Sequence, residues 1–186
     1  MVSVCFYFQV HQPPRLRRYS VFEIGHHNNY FDKRKNEAII KKVTHKCYLP
    51  TNRIILDLIN KTDGRFKVAY SMTGIVLEQL ERFAPEVIDS FKELVDTGCV
   101  EILDETYHHT LSYLYSREEF KEQVELHHNK IKQLFNFKPK VFRNTELVYN
   151  NELASFIEKM GYKGILAEGA DHILQWRSPN FIYKPK

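Results

Sequence analysis

The stretch VCFYFQVHQPP, Val4 to Pro14, decides how this chain is read. Val4, Phe6, Phe8 and Val10 alternate with smaller or more polar residues, the period-two pattern of a strand. The run then halts at two prolines, which remove ladder donors and fix φ, so no buried strand continues through them. His11 and Gln12 therefore stand at the carboxyl end of a strand, presented rather than packed. A plain polar turn leaving a strand is the competing reading, and the rest of the chain has to choose between them.

Working outward, the hydrophobic period switches repeatedly between two and 3.6. Further strands are expected at Phe66–Ser71, Cys99–Leu103, Val141–Arg143, Gly164–Ala167 and Phe181–Tyr183, with the first strand running from Val2 to Val10. Helical patterns lie between them. Thr73 suits the cap of a helix carrying Val76, Leu77, Leu80 and Phe83; Pro85 suits the first turn of the next, which Gly98 stops. Ser116 and Glu119 form a capping box ahead of a stripe of Phe120, Val124, His127 and Ile131, which marks His127 as a structural seam residue. Asn150 or Asn151 caps a helix ending at Gly161. Residues 28–60 read as an insertion holding helices near Asn36–Lys46 and Thr51–Lys61. Strands alternating with helices imply an α/β fold with a parallel sheet, whose active groups collect at the strands' carboxyl ends.

Composition narrows the class. The 186 residues, 43% hydrophobic and 27% charged, suffice for one globular domain with a sizeable core. Three widely spaced cysteines, Cys5, Cys47 and Cys99, suggest neither a disulfide framework nor a thiolate metal site, and a cytoplasmic location is the default. The start has no secretory pattern, and no run of about 18 apolar residues is available for a membrane span. The net charge of +4 is spread over helices that also carry 23 acidic residues, so neither nucleic acid nor membrane is expected as a partner. The one basic cluster, Arg15, Arg17 and Arg18, reads as solvated surface.

The predicted strand ends are rich in acids and imidazoles. They carry His11 and Gln12; Glu101, Asp104, Glu105, Tyr107, His108 and His109; Arg143, Asn144 and Glu146; and Glu168 and Asp171. A carboxylate pair across a barrel mouth can serve as acid and nucleophile in glycoside hydrolysis, about 5 Å apart for retention. None of the nine histidines is paired at i, i+4, and the pairs His26/His27, His108/His109 and His127/His128 are adjacent, so their side chains should diverge. No metal site is assigned, although one assembled from His11, His108 and an acid stays open. His108 and His109 suit hydrogen bonds to a polar ligand. GxSxG, GxxxxGK and post-strand GxGxxG patterns do not occur.

The ordered set HQPP (11–14), GCVEIL (98–103), ETYHHTLSYL (105–114), VFRNTELVYNNELA (141–154) and GYKGILAEGADHILQWRSPN (161–180) resembles family 57 glycoside hydrolases, and most nearly their α-amylase-like members. The resemblance implies a distorted seven-stranded (β/α) barrel of mainly parallel strands, of the glycoside hydrolase/deacetylase-like kind. It also implies retaining cleavage or transfer of α-glucosidic bonds in carbohydrate metabolism, without a metal or other cofactor. By motif, Glu146 takes the place of the nucleophile. His11, Gln12, Glu101, His108, His109, Arg143 and Trp176 take substrate-binding places around an α-glucan or maltooligosaccharide, with Arg143 favouring the charged form of Glu146. Trp176, the only tryptophan, offers a ring face for a pyranose and equally suits a buried anchor.

The family's acid/base aspartate lies in a later motif that this chain lacks. Residues 1–186 therefore read as the N-terminal part of a catalytic barrel, truncated before the general acid, incomplete as a catalyst and prone to self-association through exposed barrel edges. Two rival readings remain: a non-catalytic glucan-binding remnant, and a metal-dependent carbohydrate deacetylase. The deacetylase normally needs an aspartate-rich first strand end and an HxxxH helix, neither of which is present.

Overall fold

Strand β1 (Phe6–Val10) stops just before the HQPP turn, as its two prolines require. The computed structural model describes residues 4–184, so the expected strand start at Val2 and the last two residues of the terminal IYKPK lie outside the described residues. Two compact units are present, the first ending at Glu101 and the second beginning at Ile102.

In the first unit β1 runs parallel to β2 (Val68–Met72) in a register that pairs Phe6 with Val68 and Val10 with Met72. Strand β3 (Val100–Leu103) follows β2 in the sheet order β1-β2-β3 and carries the chain across the unit boundary. Parallel neighbours need helical crossovers. Between β1 and β2 the crossover is α1 (Lys33–Val43), a π-helical segment Thr44–Tyr48 and α2 (Leu49–Lys61), so the two expected helices are joined by a wider turn rather than a loop. Asp32 starts α1 by accepting from the Lys35 amide at 2.9 Å. Between β2 and β3 lie α3 (Gly74–Phe83) and α4 (Pro85–Asp96), with Pro85 at the first turn as expected. Helix α1 packs on α3, and α2 on α4.

The alternation read in β1 does not become a buried face. Val10 is buried, but Val4, Phe6 and Phe8 are exposed; β1 is an edge strand, and the Phe6 and Phe8 rings lie against Phe66 and Tyr70. Burial is concentrated instead on Tyr70, Met72, Leu77, Leu80 and Phe91.

In the second unit β4 (Val141–Arg143) pairs in parallel with β5 (Gly164–Leu166), and an isolated parallel bridge joins Asp104 to Phe142. Helix α5 (Arg117–Phe135) precedes β4, α6 (Asn151–Lys159) joins β4 to β5, and the short α7 (Asp171–Leu174) follows. Phe120, Val124 and the α6 residues Leu153 and Ile157 close over Phe142 and Tyr113. Each such ring or branched side chain removed from water contributes about 1.5–3 kcal/mol. The α5 stripe is buried at Phe120, Val124, His127 and Ile131, as its 3.6 period requires. The strand expected at Phe181–Tyr183 does not form: all three residues are exposed and outside any strand, and among the described residues no strand pairs with them to take their backbone hydrogen bonds. The β1/β2 and β4/β5 pairings are parallel and the crossovers helical, the α/β class expected, with an isolated antiparallel bridge, Leu16 to Phe31, in the segment after β1.

Candidate active site

Register and alternation build the site. The Asp104–Phe142 bridge sets Glu105 beside Arg143. Because successive strand residues point to opposite faces, Asp104 and Phe142 turn toward α5, while Glu105 and Arg143 turn to the other face. There Glu105 Oε2 lies 3.7 Å from Arg143 Nη1 and 3.5 Å from His109 Nδ1. The Glu105 side chain is 0% exposed, yet neither of its carboxyl oxygens has a hydrogen-bond partner in normal range.

His109 is the link to Glu146. Its Nε2 lies 3.2 Å from Glu146 Oε1, and the Glu146 side chain is 71% exposed, presented outward from the carboxyl end of β4. His109 (φ 58°), Glu146 (φ 53°) and Leu147 (φ 56°) all occupy left-handed backbone that L residues avoid, at about 1–3 kcal/mol each. Such outliers persist only where the surroundings hold them. Here Thr106 Oγ1 and Thr145 Oγ1 share a buried hydrogen bond of 2.9 Å, tying the loop after β3 to the turn after β4. Thr106 Oγ1 also accepts from the Thr110 amide, and Gln123 of α5 accepts from the His108 amide and the Thr110 hydroxyl. The Glu105 carboxylate, and next Glu146, raise the His109 imidazole above its ordinary value, against the opposing effects of burial and of Arg143. His109 is thus a basic group at hydrogen-bond distance from Glu146, while Arg143 Nη1 faces Glu105.

On the α5 side, Asp104 is fully buried and accepts from His127 Nδ1, from His128 Nδ1 at 2.8 Å and from Tyr162 Oη at 2.6 Å. Burial alone would raise the Asp104 carboxyl; the hydrogen bonds from the two histidines and Tyr162 outweigh it and hold the group below the ordinary carboxylate value. Burial and then the Asp104 charge push the Tyr162 phenol far up. His127 is structural, as its place in the stripe implies. The expectation that adjacent histidines diverge fails for His127 and His128: about 100° apart on α5, they reach the two oxygens of one carboxylate lying beneath the gap between them. Among the described residues no three His, Cys, Asp or Glu side chains converge in a metal-holding group.

The β1/β2 register sets His11 beside Thr73, and His11 Nδ1 meets Thr73 Oγ1 at 3.0 Å. Thr73 therefore occupies the N-cap position of α3 without using its hydroxyl as the cap. Gln12 is held twice, its side-chain carbonyl by Arg15 at 2.7 Å and its backbone carbonyl by Gln79 at 2.6 Å. Arg17 pairs with Glu23 at 2.6 Å, so two members of the basic cluster serve the loop itself. Glu101 has a buried oxygen, Oε1, with no hydrogen-bond partner. His108 is exposed, and Trp176 is 89% exposed, which removes the buried-anchor reading of the tryptophan. The second unit thus brings Glu105, His109, Arg143 and Glu146 together, and the first brings His11 and Gln12 onto Thr73 and Arg15. Thr106, Thr145 and Gln123 were missed from sequence; hydroxyls and amides in a strand-exit loop carry no pattern of their own.

Parallel strands whose carboxyl ends gather carboxylates, an imidazole and a guanidinium place this chain among α/β proteins whose functional groups collect at the carboxyl ends of the strands. The chain belongs to glycosyl hydrolase family 57, whose model matches residues 5–186. A Methanocaldococcus jannaschii protein named "Putative alpha-amylase" is 48% identical over 97% of this chain, which covers 39% of that protein's length. Among solved structures, a 4-α-glucanotransferase from Thermococcus litoralis superposes over 94% of this chain and 23% of its own, with TM-score 0.70 and 19% identity. A family 57 branching enzyme from Thermococcus kodakaraensis, solved with glucose, superposes over 87% of this chain and 38% of its own, with TM-score 0.60 and 14% identity. At those identities the two structures speak to the fold alone. The chain spans less than half the length of each of these proteins.

Proposed function

We propose that residues 1–186 are the N-terminal part of the catalytic barrel of a retaining, α-glucan-active glycoside hydrolase or glucanotransferase, with the acid/base aspartate supplied by sequence outside this chain. The observation that carries this reading is Glu146: a carboxylate lifted into solvent on left-handed backbone at a parallel strand's carboxyl end, with one oxygen held by His109. In the proposed reaction the free Glu146 oxygen attacks the anomeric carbon, the glycosidic C–O bond breaks, and the missing acid protonates the departing oxygen. Water or an acceptor sugar, deprotonated by that same aspartate, then displaces Glu146. Within the second unit His108, His109 and Arg143 supply polar contacts that sugar hydroxyls need, and Trp176 an apolar ring face; within the first, His11, Gln12 and Glu101, with its unpartnered buried oxygen, are substrate-binding candidates of their own. The names carried by the relatives, α-amylase, glucanotransferase and branching enzyme, support α-glucan as the substrate class.

A cytoplasmic location and self-association through edge strand β1, with Phe6 and Phe8 open to solvent, belong to the same reading. Among the described residues no helix is long and apolar enough to cross a membrane. The test is Glu146→Gln in a protein extended through the downstream aspartate motif, with the 186-residue chain alone as the expected inactive control. Turnover of a maltooligosaccharide should fall by about 10³-fold or more, as for loss of a covalent nucleophile. Turnover equal to the unsubstituted protein would remove Glu146 from the nucleophile's place.

A further inference from the structure

Glu105 is the one acidic side chain of the strand-end group that is completely buried while both its oxygens lack a hydrogen bond of normal length. A buried carboxylate left in that condition costs free energy unless cations face it. Two basic groups face it, from different elements: the Arg143 guanidinium at the end of β4, and the His109 imidazole, a cation when doubly protonated, in the loop after β3. His109 reaches on with its other nitrogen to Glu146, from a backbone conformation that favours neither residue. We propose that Glu105 is a positioning residue that acts through His109. Its Oε2 faces Nδ1 of the ring across 3.5 Å as an ion-pair partner and so directs the Nε2 proton onto Oε1 of Glu146, leaving Oε2 of Glu146 as the oxygen free to react.

The chemistry follows from the ring. An imidazole can donate from both nitrogens only when it carries both protons. With a carboxylate at each end, the doubly protonated ring satisfies Glu105 and Glu146 together, while a ring with one proton must abandon one of them. Of the charged groups that bear on His109, Glu105 and Glu146 favour the charged ring and Arg143 opposes it. Glu105 is the buried member, so its effect is the less screened of the two carboxylates. Loss of the second proton at high pH therefore frees the Glu146 carboxylate to rotate. That consequence rests on Glu146 being the nucleophile; the proton relay itself does not.

The relay can be read in the 186-residue chain without any turnover, by an NMR titration of the His109 ring nitrogens. In the unsubstituted chain His109 should titrate above an ordinary histidine. Glu105→Gln should lower its proton affinity by about tenfold or more, and Glu146→Gln, with its solvent-exposed carboxylate, by a smaller factor. Glu152→Gln, exposed and paired with Arg117 rather than with His109, should leave it unchanged and so separates this effect from a change in net charge. If Glu105→Gln does not fold, Glu105→Asp draws the carboxylate back by one methylene and should lower the affinity partway. A His109 that titrates as an ordinary histidine in the unsubstituted chain, or one indifferent to both Glu105 substitutions, overturns the proposal. If the titration responds as expected while Glu146→Gln leaves the longer protein active, the nucleophile assignment fails and the relay stands.

Discussion

The side chains with the chemistry are held by side chains that have none. His109 and Glu146 both sit at positive φ, and the feature nearest to fixing them is a buried pair of threonine hydroxyls, Thr106 and Thr145. Thr106→Val keeps the shape but removes the hydroxyl, leaving the Thr145 hydroxyl and the Thr110 amide without their partner. It should destabilise the chain by about 1–3 kcal/mol in chemical denaturation, whereas Thr106→Ser should stay within about 1 kcal/mol. What was legible at this scale was residue type near a strand end: His109, Arg143 and Glu146 were found that way and do come together. That His109 reaches both Glu105 and Glu146 was not legible, because that placement is set by the β3/β4 register and by two left-handed residues. Nothing in the spacing of Arg143 and Glu146 announces either.

At the scale of elements, caps and periods carried most of the information. Helix α5 starts at Ser116, whose Oγ accepts from the Glu119 amide at 3.2 Å, but the reciprocal half of the expected box is not made. The Glu119 carboxylate accepts instead from Gln123 at 2.6 Å, fixing the amide that holds the His108–Thr110 loop. The cap therefore bears on the site as well as on the helix. Ser116→Ala should cost about 1 kcal/mol by thermal or chemical unfolding, and Ser116→Asp should recover most of it. Three features escaped sequence reading for distinct reasons. The π segment Thr44–Tyr48 sits between two good helices, and a one-residue widening leaves no mark in their periods. The apolar face of β1 is left open because strand pattern reports a residue's side of the sheet, not whether anything covers that side. Phe181–Tyr183 has the composition of a strand but no partner for its backbone.

At the scale of the molecule, two buried carboxylates, Asp104 and Glu105, tie the second unit together on opposite faces of the same strand exit, and two titrating groups of these clusters, Asp104 and His109, respond to pH with opposite sign. Asp104 accepts from His127 and His128 of α5 and from Tyr162 before β5, joining elements distant in sequence. Its carboxyl is held below the ordinary value of 3.8. Its contribution to folding stability is therefore complete above that value and is lost as pH falls through the depressed native one. His109 is raised above 6.5, so its contribution is complete below that value and is lost as pH rises through the raised one. Stability should thus form a plateau whose acid edge belongs to Asp104 and whose alkaline edge belongs to His109. Asp104→Asn keeps the shape but cannot accept all three donors; it should lower stability at neutral pH by about 3–5 kcal/mol, as loss of one member of a buried charged network does. Denaturant unfolding repeated from pH 7 downward should show the unsubstituted chain losing stability below pH 3.8 more steeply than the Asn variant. Two parallel acid limbs would mean that Asp104 is not the group that sets that edge, leaving its contacts with α5 and Tyr162 as packing alone.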